Sequence, residues 1–141
     1  DLHLLSRRQR QMCIRDRDHL CDAVETAKIL SALHISTVKV HSLYIAKNTR
    51  LCEDYENGTI SICSKEEYFH RVSEFLQYLD PGIAVERLFS RIPQEDGVFC
   101  NWGTSWWKLR DELLAYLEAQ DSYQGKQYHY LYGAALPASY D

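Results

Sequence analysis

Six polar side chains are spaced so that they could do chemistry: Lys39 and His41, Lys47 and Thr49, Glu86 and Arg87. Lys39 and His41 stand two positions apart in a β-prone run. Alternate residues of a strand share a face, so an ammonium and an imidazole would reach the same side and could bind a substrate there. The competing reading is a histidine hydrogen-bonded within the core. Lys47 and Thr49 lie just past the end of that run, where a loop amide, a hydroxyl and an ammonium could hold an anion. Equally, Asn48 or Thr49 could cap a following helix. Glu86 and Arg87 are adjacent and therefore point to opposite faces of a strand, and burying either without a partner would cost several kcal/mol. At least one of them has a specific task; the sequence does not say which.

Other residue sets carry weaker signals. Asn101, Trp102, Trp106 and Trp107 could form a stacking surface for a nucleobase or another planar substrate. Tryptophans so placed more often fill a core or cover an open sheet edge. Five cysteines (Cys13, Cys21, Cys52, Cys63, Cys100) are scattered without a CxxC or CxxxCxxC cluster, which argues against a zinc or iron–sulfur site made by this chain alone. No local motif supports Ser-His-Asp or Cys-His catalysis, so no catalytic residue is assigned.

These residues need elements to position them. Ile35 to Leu51 opens as a strand with Val38, Val40, Ser42 and Tyr44 on one face and Lys39, His41, Leu43 and Ile45 on the other. Before it, Leu20, Ala23, Val24, Ala27 and Leu30 share one arc of a helix expected to run from Asp18 to near His34. After it, Thr49 to Glu56 makes a short helix closed by Asn57-Gly58. Ser64 and Glu67 form a capping-box pattern. Tyr68, Val72, Phe75, Leu76 and Leu79 then make a helical stripe, which Asp80-Pro81-Gly82 stops. Ile83 to Phe89 is a second strand, and the intervening helix fits a parallel βαβ crossover. Ser90 to Gly103 reads as polar and irregular. A third helix starts near Thr104 or Ser105 with Trp106, Leu109, Leu113, Tyr116 and Leu117 inward. The tail from Asp121 to Leu136, with Tyr128, Tyr130 and Tyr132 alternating, is expected to pack on the body as an extended segment.

At 141 residues the chain can build one domain with a core but is short for a complete (β/α) barrel. Residues 1–17 differ from the rest: five arginines crowd them, and Arg10 to Arg17 resembles translated sequencing-adapter read-through rather than a native basic arm. Beyond them stand eleven basic and eighteen acidic side chains, a balance that repels phosphate backbones and makes DNA an unexpected partner. No apolar window is long enough to span a membrane and no signal-peptide core is evident, so a cytoplasmic protein is expected.

The blocks Val38-Lys39-Val40-His41-Ser42-Leu43-Tyr44-Ile45-Ala46-Lys47-Asn48-Thr49-Arg50-Leu51, Ser64 to Tyr68, Val85 to Ser90, Trp106-Trp107-Lys108 and Asp121 to Tyr128 occur in an order that resembles a group of radical S-adenosylmethionine (radical SAM) proteins. That group is related to the Elp3-like and coproporphyrinogen-dehydrogenase-like members, and the likeness covers about residues 18–136. It implies an α/β fold: parallel strands with flanking helices from the end of a partial (β/α) barrel (residues 18–103), then a C-terminal helical extension (104–141). It also implies a parent enzyme that binds S-adenosylmethionine and a 4Fe–4S cluster through a CxxxCxxC loop this sequence lacks. The chain then corresponds to the C-terminal part of a longer protein, partnered by the missing N-terminal barrel portion, binding no cofactor by itself and inactive alone. Within such a barrel Lys39 and His41 would bind substrate or the S-adenosylmethionine carboxylate. Relatives act on RNA or on small molecules such as tetrapyrroles, which leaves the substrate open. The alternative is a small stand-alone α/β binding or interaction module without redox chemistry.

Overall fold

Ser64 sets the frame for one of the two fourteen-residue helices among the described residues. Its hydroxyl accepts from the Glu67 amide at 3.1 Å while the Glu67 carboxylate accepts from the Ser64 amide at 3.2 Å. Two of the helix's orphan donors are thereby satisfied reciprocally. In this computed structural model, which describes residues 20–129, the helix runs Lys65–Tyr78 and is α3 in the order α1 (Leu20–Ala32), β1 (Thr37–Lys39), β2 (Tyr44–Ala46), α2 (Arg50–Glu56), α3, β3 (Ala84–Arg87), β4 (Gly97–Cys100) and α4 (Trp106–Ala119). Short 3-10 turns at Gln94–Asp96 and Asn101–Gly103 flank β4. The expectations for residues 1–17 and for Tyr130 and Tyr132 fall outside the described residues.

Strand β1 pairs with β3 in parallel, Thr37 opposite Ala84 and Val38 opposite Val85, with a register shift before Lys39 meets Arg87. The crossover between them contains α3, as the 3.6-residue stripe requires. Tyr68, Val72, Phe75, Leu76 and Leu79 are all buried. Helix α1 lies against α3, and Val38 and Val85 pack on the same core. On the other face of the sheet Thr37, Lys39, Ala84 and Glu86 are exposed. Helix α4 adds Leu109, Leu113 and Leu117 to the core, with Trp106 and Tyr116 half-buried beside them.

Three expectations need correction. The stretch from Ile35 does not continue as one strand: Ser42 and Leu43 are both buried, and two consecutive inward residues break the alternation of a strand. Val40 donates to the Arg87 carbonyl at 2.9 Å and ends the parallel pairing, after which β2 pairs antiparallel with β4. The segment Ser90 to Gly103 is accordingly not wholly irregular, since Gly97–Cys100 is that partner strand. Gly97 permits the pairing because a Cβ there would sit 2.7 Å from both the Ile45 carbonyl oxygen and the Tyr44 ring. On α1 the buried arc is Ala23, Thr26, Ala27, Leu30 and Ser31, with Leu20 exposed. Thr26 and Ser31 are tolerated inside because their hydroxyls donate to the carbonyls of Asp22 and Ala27, each at 2.7 Å.

Among the described residues the strands form two separate two-stranded sheets, one parallel and one antiparallel, and no closed barrel. The chain after α4 returns over the carboxyl end of α3, whose last carbonyls lack intrahelical donors. The amides of Gly125 and Gln127 donate to the carbonyls of Leu76 and Gln77 at 2.9 and 2.8 Å. Gln124 Nε2 donates to the carbonyls of Asp80 and Ile83.

Candidate functional site

Each of the six sequence-derived candidates takes its position from the element that carries it, and they do not converge. Lys39 and Glu86, neighbours across β1 and β3, form an ion pair at 3.4 Å on the exposed face. Half-exposed side chains screen such a pair, which limits its contribution to at most about 1 kcal/mol. Arg87 lies across β1 from Lys39 and is half-buried, and its carbonyl serves the ladder. His41 is half-buried in the link between β1 and β2. Lys47 Nζ donates to the Glu95 carbonyl at 3.0 Å, tying the end of β2 to the turn before β4. Thr49 is the N-cap of α2: its hydroxyl accepts from the Cys52 amide at 3.1 Å and donates to the Ala46 carbonyl at 2.8 Å.

The carboxyl ends of the parallel strands meet instead in a buried network the residue spacing did not single out. Ser42 follows β1 and Ser90 follows β3, each by three residues. Ser42 Oγ accepts from the Ser90 amide at 2.9 Å and donates to Asn101 Oδ1, and Asn101 Nδ2 donates to the Ser90 carbonyl at 2.7 Å. All three residues are at most 3% exposed. In low dielectric a satisfied cluster of this kind fixes geometry firmly, because breaking one member strands the others. The network holds a strained corner: Asn101, Trp102 and Gly103 have φ of 49°, 52° and 72°. A bulky residue such as tryptophan in the left-handed region is a true outlier. Trp102 is kept there by packing on Tyr68 and Phe99 and by its indole N–H donating to the Cys63 carbonyl at 3.0 Å. It is half-buried against the core.

Beside this corner an open cleft of about 430 Å³ has Ser90, Arg91, Ile92, Glu95, Asn101, Ser105, Trp106 and Trp107 in its wall. The Arg91 guanidinium carbon lies 3.9 Å above the Trp106 ring centre, and Arg110 approaches the same ring at 5.5 Å. Trp106 and Trp107 meet edge to face, and Trp107 is 56% exposed. None of the six candidates lines this cleft. Ser42 and Ser90 had a usable signal, since a serine set among apolar residues in a buried run requires a partner. Arg91 had none, as its value comes from a tryptophan fifteen positions later.

Burial pushes the Cys100 thiol up, an effect the Ser90 side chain partly opposes. Burial, then the Glu56 carboxylate beside it, also pushes the Cys52 thiol up. Among the described residues no three His, Cys, Asp or Glu side chains are grouped to hold a metal ion, so these residues do not fit an iron–sulfur cluster. No helix among them is long and apolar enough to cross a membrane.

A family model described as the Radical_SAM C-terminal domain matches residues 35–119. The uncharacterized protein YtqA of Bacillus subtilis is 30% identical over 113 residues, which cover 80% of this chain and 34% of that protein. The uncharacterized protein MJ0486 of Methanocaldococcus jannaschii is 31% identical over 108 residues, covering 76% of this chain and 34% of its own length. The chain thus spans about a third of the length of the curated relatives it matches.

Proposed function

The chain belongs to the radical SAM C-terminal domain family, and from that premise we propose that it is the closing part of a partial (β/α) barrel in a radical SAM enzyme. The observation that carries the proposal is the family match over residues 35–119, which falls on a parallel β1–β3 pair with helices on one face. Parallel strands are normally covered on both faces, and in a barrel the face away from the helices is the interior. On this reading Lys39 and Glu86 face the lumen and Arg87 the helix layer. His41 follows β1 toward the substrate side, where it and Lys39 bind substrate or the S-adenosylmethionine carboxylate. Lys47 and Thr49 fix the loop that leads into α2.

The 4Fe–4S cluster, when bound, supplies the electron that cleaves S-adenosylmethionine. Its ligands are assigned to the N-terminal barrel portion, with residues 18–103 completing the barrel and 104–141 forming the extension. The residue pattern of Val38 to Leu51 supports kinship with the Elp3-like and coproporphyrinogen-dehydrogenase-like members. The substrate is a small molecule or an RNA, the cellular setting the cytoplasm. The role of this chain's residues is to shape and close the site, and the chain alone is inactive.

Reconstitution with iron and sulfide tests the assignment. The 141-residue chain should develop no cluster chromophore, whereas the protein read from an upstream-extended frame should contain CxxxCxxC and develop one. A robust chromophore on the chain alone, or an extended frame without the motif, would overturn it.

A further inference from the structure

We propose that the cleft between the Ser90–Glu95 loop and the first turn of α4 is a binding site for an oxyanion, carboxylate or phosphate, borne on a flat ring. An arginine and a helix terminus converge there. Arg91 is exposed and has no ion-pair partner among the described residues. Its guanidinium is stacked on Trp106, which leaves the in-plane N–H edges available as a fork for a carboxylate or phosphate. The cleft also receives the N-terminus of α4, a fourteen-residue helix whose N-cap, Ser105, makes no side-chain hydrogen bond to the first turn. Those uncapped amides and the positive end of the helix favour an anion. Ser90 forms the closed floor beneath them, its amide and carbonyl taken up by Ser42 and Asn101 and its hydroxyl set against the Cys100 thiol.

The ring follows from the walls. Trp107 offers an exposed aromatic face, perpendicular to the Trp106 ring, against which a planar group can lie. Glu95 stands on the rim and sets direction: the oxyanion must lie toward Arg91 and the helix terminus, with the ring pointing outward.

Titration of the nitrogen-15-labelled chain followed by amide and indole N–H resonances tests the site directly. Phenyl phosphate should shift the Trp106 and Trp107 signals saturably and leave the Trp102 indole in place. Inorganic phosphate should bind about tenfold more weakly, and benzyl alcohol should produce no saturable shift. Arg91→Met should weaken phenyl phosphate by about tenfold, and Arg91→Lys, which keeps the charge without the fork, by less. Glu95→Gln should tighten it by about threefold. Benzoate binding in place of phenyl phosphate would support the site and identify carboxylate as its oxyanion. Absence of saturable shifts with both aromatic anions, equal binding of benzyl alcohol, or unchanged affinity in Arg91→Met would overturn the proposal. Neither cluster nor S-adenosylmethionine is needed, so failure here leaves the family reading untouched.

Discussion

Ser42 holds the two sheets in register through one hydroxyl, because that oxygen serves β3's exit at Ser90 and the strained corner at Asn101 together. Ser42→Ala should therefore lower stability by about 1–3 kcal/mol, the cost of stranding buried polar partners, read as a reduced urea midpoint at unchanged slope. Lys39→Met should change stability by less than about 1 kcal/mol, since the Lys39–Glu86 pair is half-exposed and screened. A larger loss at Lys39 than at Ser42 would reverse the ranking. The thiols add a pH dependence. Cys52 and Cys100 are both pushed up by burial, so the folded state holds its protons more tightly than the unfolded chain does. That contribution is fully present below the ordinary thiol range and is lost as pH rises through and beyond it. Iodoacetamide at mildly alkaline pH should modify exposed Cys21 well before Cys52 and Cys100, which mass spectrometry would resolve. The sequence made Lys39, His41, Lys47, Thr49, Glu86 and Arg87 conspicuous because they are charged or polar in or beside β-prone runs. What it concealed is distance: Ser42 and Asn101 are brought together by tertiary structure, and no local pattern encodes that.

Elements with strong local signals were legible. The capping box at Ser64 and Glu67 and the stripe of α3 use neighbours along one helix, so spacing alone specifies them, whereas the cap of α2 was open between Asn48 and Thr49. Ser64→Ala should cost about 1 kcal/mol, measured by thermal or urea unfolding. The strands were harder. Val38 to Ile45 has enough β propensity for one long strand, yet burying Ser42 and Leu43 in succession divides it into β1 and β2 with different partners. β4 escaped notice because Gly97-Val98-Phe99-Cys100 is only four residues long and begins with glycine, a poor strand former. Its importance is open to measurement: Gly97→Ala places a methyl group against the Ile45 carbonyl and the Tyr44 ring. Amide exchange across β2 and β4 should accelerate far more than across β1 and β3. Uniform acceleration would mean the two sheets unfold as one unit.

Across the whole molecule, a parallel pair with helices on one face and polar, exposed residues on the other is an arrangement that a larger α/β sheet explains. The parallel crossover was readable from alternating periodicities, since a helix between two strands leaves few topologies. The proposed barrel would need strands beyond the two two-stranded sheets of residues 20–129. The relatives are about three times as long as the region they share with this chain. The most direct test is anaerobic incubation of the protein from the extended reading frame with S-adenosylmethionine and a strong reductant, followed by chromatography for 5′-deoxyadenosine. The account expects 5′-deoxyadenosine and methionine to form together, and to disappear when the segment corresponding to residues 35–119 is deleted. A cluster-loaded protein that leaves S-adenosylmethionine intact, or one that cleaves it equally well without that segment, would contradict it.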